Sequence, residues 1–292
     1  MKFATLTVDG RAIVAAVSPE SDQYWSLEEM TGKPINTMVD LIRAYDEVKG
    51  ALKPNGGARS LAGIKIDAPI LPLRNIMCVG KNYHAHAHEF TKSGFDSSAK
   101  DASEAIPTAP IIFTKAPETV IATGENIRYP TGVSDSIDYE AELGVVIGKG
   151  GRGISKADAL DHVFGYTIIN DMTARDLQSK HKQWFIGKSL DTFCPMGPWI
   201  VSADEVDAGN LDLKCWVNGE LRQDANTSDL IFDVATLIET LSAGLTLQPG
   251  DVIATGTPAG VGIGFDPPKY LARGDEIAIE ISGLGRLSNV LA

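Results

Sequence analysis

Cysteine is scarce in this 292-residue chain, and the three residues present, Cys78, Cys194 and Cys215, are scattered. They offer no zinc-type spacing and no even disulfide framework, so they read as reduced, mostly buried thiols in a cytoplasmic setting. Long apolar runs are missing as well: nothing approaches the roughly 20 residues of a membrane-spanning helix. The N-terminal stretch "MKFATLTVDGRAIVAAV" alternates apolar and polar residues and is cut by Asp9-Gly10-Arg11, which excludes a secretory signal pattern. Positive charge is in deficit, and the net charge of −12 argues against nucleic acid or an anionic membrane surface as partner. There is no regular alternation of strands and helices, which speaks against a dinucleotide-binding fold. No internal repeat and no low-complexity tract is present.

What the chain does have is a row of acids leading into an apolar run. In "SDSIDYEAELGVVIGKG", Asp138, Glu140 and Glu142 alternate with Ile137, Tyr139, Ala141 and Leu143. The period of two predicts a strand with all three carboxylates on one face. Alternate strand residues lie roughly 6–7 Å apart, where two carboxylates repel by about 2–3 kcal/mol at an effective dielectric near 20. Two arrangements relieve this. The strand end is solvated, or a cation compensates the charge; oxygen ligands select a hard ion such as magnesium, manganese or calcium over zinc.

Along the chain, residues 3–17 predict a hairpin turning at Asp9-Gly10. Residues 37–52 show helical periodicity, with Met38, Leu41, Ile42, Tyr45 and Val48 on one stripe. A soft boundary near residue 66 divides a small N-terminal subdomain, 1–66, from a larger domain, 67–292. Beyond it short strands dominate, at 76–79, 111–114, 143–147, 164–170, 198–201, 211–217, 251–254 and 276–281. Helices are expected at 84–93, 156–161, 173–180 and 230–241. The small, polar, proline-ended stretch 95–110 predicts a loop. The fold class is therefore mainly β with α.

Four segments carry candidate chemistry. "VGKNYHAHAHEF" holds His84, His86 and His88, three of the chain's five histidines. On a strand the three would share a face and suit zinc or iron. On a helix, which the alanines and the lack of β-branched residues favour, His86 and Glu89 pair at i,i+3. Glu89 would then fix the imidazole tautomer and raise its basicity, as a general base requires. In "GYTIINDMTARDLQ" a strand ends at Asp171 and a helix begins, with Asp171 or Thr173 as cap and with Arg175 and Gln178 one turn apart. An Arg in that place can fork onto an anionic ligand. In "WFIGKSLDTFCPMGP", Lys188 sits in an apolar stretch and either snorkels to water or points at an acidic group. "GDVIATGTPAGVGIG" runs a strand into a loop whose amides and Thr255 and Thr257 hydroxyls suit an oxyanion.

Taken in this order, these segments and "DYEAELGVVIG" resemble the fumarylacetoacetate hydrolase family, with "GDEIAIEISGLGRLSNVL" extending the match almost to the C-terminus. The resemblance implies a mixed β-roll or β-sandwich catalytic domain, usually homodimeric, holding one divalent metal, magnesium first and manganese or calcium as alternatives. It implies Glu140, Glu142 and Asp171 as the ligands, with Asp138 outside the set. His86 and Glu89 match a catalytic dyad of one large branch. Arg175, Gln178, Lys188 and Thr257 match substrate-contacting positions. The extra histidines at 84 and 88 and the long segment 93–107 depart from the pattern.

The activity implied is cleavage of a carbon–carbon bond in a small anionic β-diketo acid of acylpyruvate type. His86, oriented by Glu89, activates water, while Lys188 and the Thr257 loop meet the developing charge. The rivals are decarboxylation of a 2-oxo acid, isomerisation of a hydroxymuconate-type diacid, and non-catalytic carboxylate binding.

Overall fold

The computed structural model describes residues 1–54, 56–92, 94 and 104–292. Most of the loop expected at 95–110 lies outside them. Among the described residues the architecture is a 12-stranded mixed sheet, a 5-stranded sheet and a 2-stranded pair, with few helices. This is an α+β fold dominated by sheet. No described helix is long and apolar enough to cross a membrane.

The strand Ala141–Ile147 is central and buried along its whole length. It lies between Val163–Asn170 and Val252–Ala254, antiparallel to both. Its two faces feed different cores. Leu143, Val145 and Ile147 pack in the larger cluster, together with Leu213, Ile279 and Leu287 of the five-stranded sheet. Val146 faces a second cluster with Met38, Leu41 and Ile42 of the helix Met38–Val48. Burial on both faces explains why residues 143–147 are continuously apolar rather than alternating. The helix itself starts on a capping box in which Thr37 and Asp40 satisfy each other's backbone N–H groups.

The large sheet runs across residue 66. Lys2–Val8 pairs with Arg11–Ser18 through the expected hairpin and also with Cys194–Ser202, so the N-terminal strands extend the sheet that carries the core. The pairing registers bring the start of Ala141–Ile147 and the ends of Val163–Asn170, Val252–Ala254 and Ile76–Gly80 to one edge. That edge positions the site.

Several local expectations are corrected. Ile137–Asp138 and Ala141–Ile147 are separate strands, because Ile137–Asp138 pairs with Thr173–Ala174 instead of continuing in the large sheet. Thr173 is thus a strand residue, and the helix Arg175–His181 starts from Ala174 without a side-chain cap. No α-helix forms at 156–161: a single 3₁₀ turn, Ala159–His162, runs straight into the next strand and leaves no room for a second turn. The helix expected from residue 230 begins at Val234, where the Asp233 side chain caps the Thr236 N–H.

Candidate active site

Glu140, Glu142 and Asp171 are all buried, and one ligand atom from each lies within 4.8 Å of the others. Glu142 sits in the strand. Asp171 follows the last residue of its neighbour, and its N–H donates to the Glu140 carbonyl at 2.8 Å, which locks the two acids side by side. The Glu140 N–H donates to the Asn170 side chain at 3.1 Å.

Cations are built around these acids. The Lys188 ammonium is buried and lies 2.8 Å from Glu140 Oε2 and 2.7 Å from Asp171 Oδ2. It points at acids rather than snorkelling to water. Arg175 reaches Asp138 Oδ2 through Nε and Glu140 Oε1 through Nη1, both at 2.8 Å. Its Nη1 also donates to Gln178 Oε1 at 3.2 Å. Arg175 Nη2 is buried and has no hydrogen-bond partner among the described residues.

Asp138 proves to be a structural acid. It is fully buried and accepts from the backbone N–H groups of Tyr139, Gly262 and Ile263 as well as from Arg175. Those donors occupy both of its oxygens, so it serves to hold Arg175 and the loop beyond residue 260. Asp138→Asn is expected to cost about 3 kcal/mol in urea unfolding, the lower range for breaking a buried pair, while changing metal affinity far less than loss of Glu142.

Lys115 carries chemistry that its sequence did not reveal. It ends the strand Ile111–Lys115, is wholly buried and lies 2.8 Å from Asp171 Oδ1. It also donates to the carbonyls of Met172 and Lys188. It thus pairs with one carboxylate oxygen of Asp171 while Lys188 pairs with the other. The signal available was the same as for Lys188: one charge inside an apolar stretch. Lys115→Met leaves Asp171 short of a cation, and a loss of about 3 kcal/mol is expected. Urea unfolding measures it; a loss under 1 kcal/mol would remove Lys115 from this role.

The ionisation pattern follows from this packing. Burial pushes Glu140 up, but Lys188 and Arg175 outweigh it and hold the carboxyl at about 2. Glu142 has no ion pair among the described residues. Its contact is the Gly256 N–H at 2.8 Å, and burial together with Asp171 and Glu140 raises it well above the usual carboxylate range. Gly256 has a φ of 102°, and a Cβ there would lie 2.8 Å from Asn82 Cβ, so this donor position calls for glycine. A buried carboxylate raised by its neighbours, with all-oxygen donors converging, fits a hard divalent cation.

The helix His84–Lys92 covers the site. His86 is buried, whereas His84 and His88 are exposed, so the three do not form a zinc face. His86 Nδ1 lies 3.2 Å from Glu89 Oε2. Glu89 also accepts from the Gly260 N–H at 3.0 Å, and a Cβ at Gly264 would lie 2.1 Å from its Oε1. The dyad is therefore held by the loop that also holds Asp138. Thr257 accepts from Gln223 Nε2 at 2.8 Å. His86, Glu140, Arg175, Gln178, Lys188 and Thr257 line one small pocket, of about 10 Å³. That is room for about one water molecule.

Residues 75–292 match the sequence family described as Fumarylacetoacetate (FAA) hydrolase C-terminal. Oxaloacetate tautomerase YisK of Bacillus subtilis is 47% identical over 310 residues, covering 99% of each chain. The fumarylacetoacetate hydrolase EaFAH from psychrophilic Exiguobacterium antarcticum has a TM-score of 0.84 at 39% identity, over 100% of this chain and 99% of its own. Maleylpyruvate hydrolase from Sphingobium sp. SYK-6, in complex with manganese (II) ion and pyruvate, has a TM-score of 0.80 at 32% identity, again over 100% and 99%. A catalytic-domain match over most of the sequence, with relatives of this identity across its full length, establishes that the chain belongs to the fumarylacetoacetate hydrolase family.

Proposed function

We propose that this chain is a magnesium-dependent tautomerase that interconverts the enol and keto forms of a small 2-oxo diacid of oxaloacetate type. The observation that carries the reading is buried His86, paired with Glu89 through Nδ1 at 3.2 Å, which lines the same pocket as Glu140, Arg175 and Lys188. The 47% identity to an oxaloacetate tautomerase, spread over both chains, supports it. Tautomerisation moves one proton between carbon and oxygen and needs no second reactant.

Glu140, Glu142 and Asp171 would hold the ion, and their oxygens favour magnesium, with manganese or calcium as substitutes. Bound there, the ion supplies Lewis acidity toward the 2-oxo acid. Glu89 occupies Nδ1 of His86, so Nε2 is the ring nitrogen that exchanges the proton at C3. As the C3–H bond breaks, its electron pair moves toward the former keto oxygen, and Lys188 meets the charge there. Protonation of that oxygen gives the enol; the reverse sequence gives the ketone. The unpartnered Nη2 of Arg175, beside Gln178, is available to a substrate carboxylate.

Hydrolysis of an acylpyruvate is the second reading. The likeness to maleylpyruvate hydrolase supports it, since the same dyad can activate water instead. Decarboxylation would need the electron sink without the dyad, and mere carboxylate binding would need neither His86 nor Lys188. The deciding test dissolves crystalline enol-oxaloacetate with magnesium and follows the loss of enol absorbance, with pyruvate release from acetylpyruvate and fumarylpyruvate measured in parallel. Acceleration of ketonisation is the expected result. Faster pyruvate release, with no effect on oxaloacetate, would put hydrolysis in its place.

A further inference from the structure

Trp184 lines the pocket, and the reactions above leave it without a role. It precedes the helical turn Phe185–Lys188, and its carbonyl accepts from the Lys188 N–H at 3.0 Å. The indole and the Lys188 ammonium are thus fixed by one turn of chain. The indole is buried and wedged between two rings, Phe90 of the helix His84–Lys92 at 6.1 Å and Phe113 of the strand Ile111–Lys115 at 5.1 Å between centroids. Both contacts are edge-to-face, an arrangement that holds each ring in orientation. Its back is set against Gly80, where a Cβ would lie 2.4 Å from Cζ3 of the indole. The strand Ile76–Gly80 therefore ends on a residue that admits the ring at this depth.

The pocket has two characters. Glu140, Arg175, Gln178 and Lys188 give it polar lining and Phe90, Phe113 and Trp184 aromatic lining, with the Arg175 guanidinium 5.7 Å from the Phe90 centroid and the Lys188 ammonium 4.9 Å from that of Phe113. The head of a 2-oxo acid belongs with Arg175 and Lys188, so a growing tail is left to the aromatic lining, where Trp184 packs against both cation-bearing rings. Phe90 is not free to retreat without disturbing the dyad, because its ring stacks on His86 with centroids 6.0 Å apart.

We propose that Trp184 sets substrate length: with the indole seated against Gly80, the site accepts four-carbon 2-oxo diacids and rejects acylpyruvates with longer tails. This rests on the reading of the pocket as a 2-oxo acid site. Rigid apolar walls discriminate a single methylene by about 10–200-fold, and this wall is braced on three sides.

The test uses the full-length chain loaded with magnesium. Pyruvate, 2-oxobutyrate and 2-oxohexanoate are titrated calorimetrically into the wild type, Trp184→Phe and Trp184→Ala. The wild type is expected to bind 2-oxohexanoate at least about tenfold more weakly than pyruvate. Trp184→Phe should narrow that gap and Trp184→Ala close it, with pyruvate affinity retained. Turnover should move in step, with fumarylpyruvate gaining relative to oxaloacetate. Should Trp184→Ala not fold, Trp184→Phe carries the same comparison. Equal binding of all three acids by the wild type would overturn the length limit alone, as would an unchanged ratio in folded variants. Failure of the wild type to bind any of them would overturn the 2-oxo acid reading and the length proposal with it.

Discussion

Glu142→Gln should abolish divalent-metal binding and turnover together. Of the three clustered acids, Glu142 alone has no ion pair with a lysine or arginine among the described residues: Glu140 is matched by Lys188 and Arg175, and Asp171 by Lys188 and Lys115. It is the carboxylate whose charge a bound ion would balance. Residues that merely support a ligand are worth 10–100-fold in metal affinity, so removing a charged ligand should cost at least about 100-fold. Calorimetric titration with magnesium measures it. The same reasoning fixes a pH dependence. Burial, Asp171 and Glu140 raise Glu142 in the folded chain, so metal-free protein holds that proton to higher pH than an unfolded chain would. Its contribution to metal-free stability is present at low pH and is lost as pH rises through the raised value. Metal must displace the proton, so affinity should rise with pH and binding should release protons to the buffer. Tight binding by Glu142→Gln, or full activity after exhaustive chelation, would remove the metal from the reaction.

Much of this site was legible because its chemistry is written in short spacings. The three-residue step from His86 to Glu89 is local, and a helix delivers it whatever surrounds it; the spacing of Glu140 and Glu142 flagged the acids, although Glu140 lies just outside the strand Ala141–Ile147 that carries Glu142. Lys188 announced itself as a charge in an apolar run. What stayed hidden was non-local. Asp138 is an acid at the same spacing as Glu140, and the amides of Gly262 and Ile263, arriving from the far end of the chain, help to set it apart. Lys115 gave the same signal as Lys188, but its partner Asp171 comes from packing of separate strands. The joining of Lys2–Val8 to Cys194–Ser202 is likewise a choice among many sheet edges that periodicity cannot make. The misjudged helix at 156–161 shows the converse: local propensity lost to the strand that begins at Val163.

His86→Ala separates the candidate reactions. A general acid–base residue contributes typically 10²–10⁴-fold, or about 3–5 kcal/mol of barrier. Ketonisation of enol-oxaloacetate should fall by about that factor, because His86 is the group placed to exchange the C3 proton. Magnesium affinity should hold, since the imidazole lies outside the three clustered acids. Glu89→Gln should cost less: the carboxylate positions the ring through the 3.2 Å contact to Nδ1 but does not itself carry the transferred proton. Acylpyruvate hydrolysis, if the chain performs it, should fall with ketonisation, because activating water asks the same of His86. Decarboxylation of oxaloacetate releases carbon dioxide and leaves the electron pair of the broken C–C bond as an enolate, which Lys188 and an ion held by the three acids would stabilise without His86, so the same variant should spare it. Measuring ketonisation and carbon dioxide release on wild type and His86→Ala therefore reads the histidine directly. Equal loss in both would make it a binding or positioning residue, and no loss in either would return His86 to an ordinary buried side chain of the helix His84–Lys92.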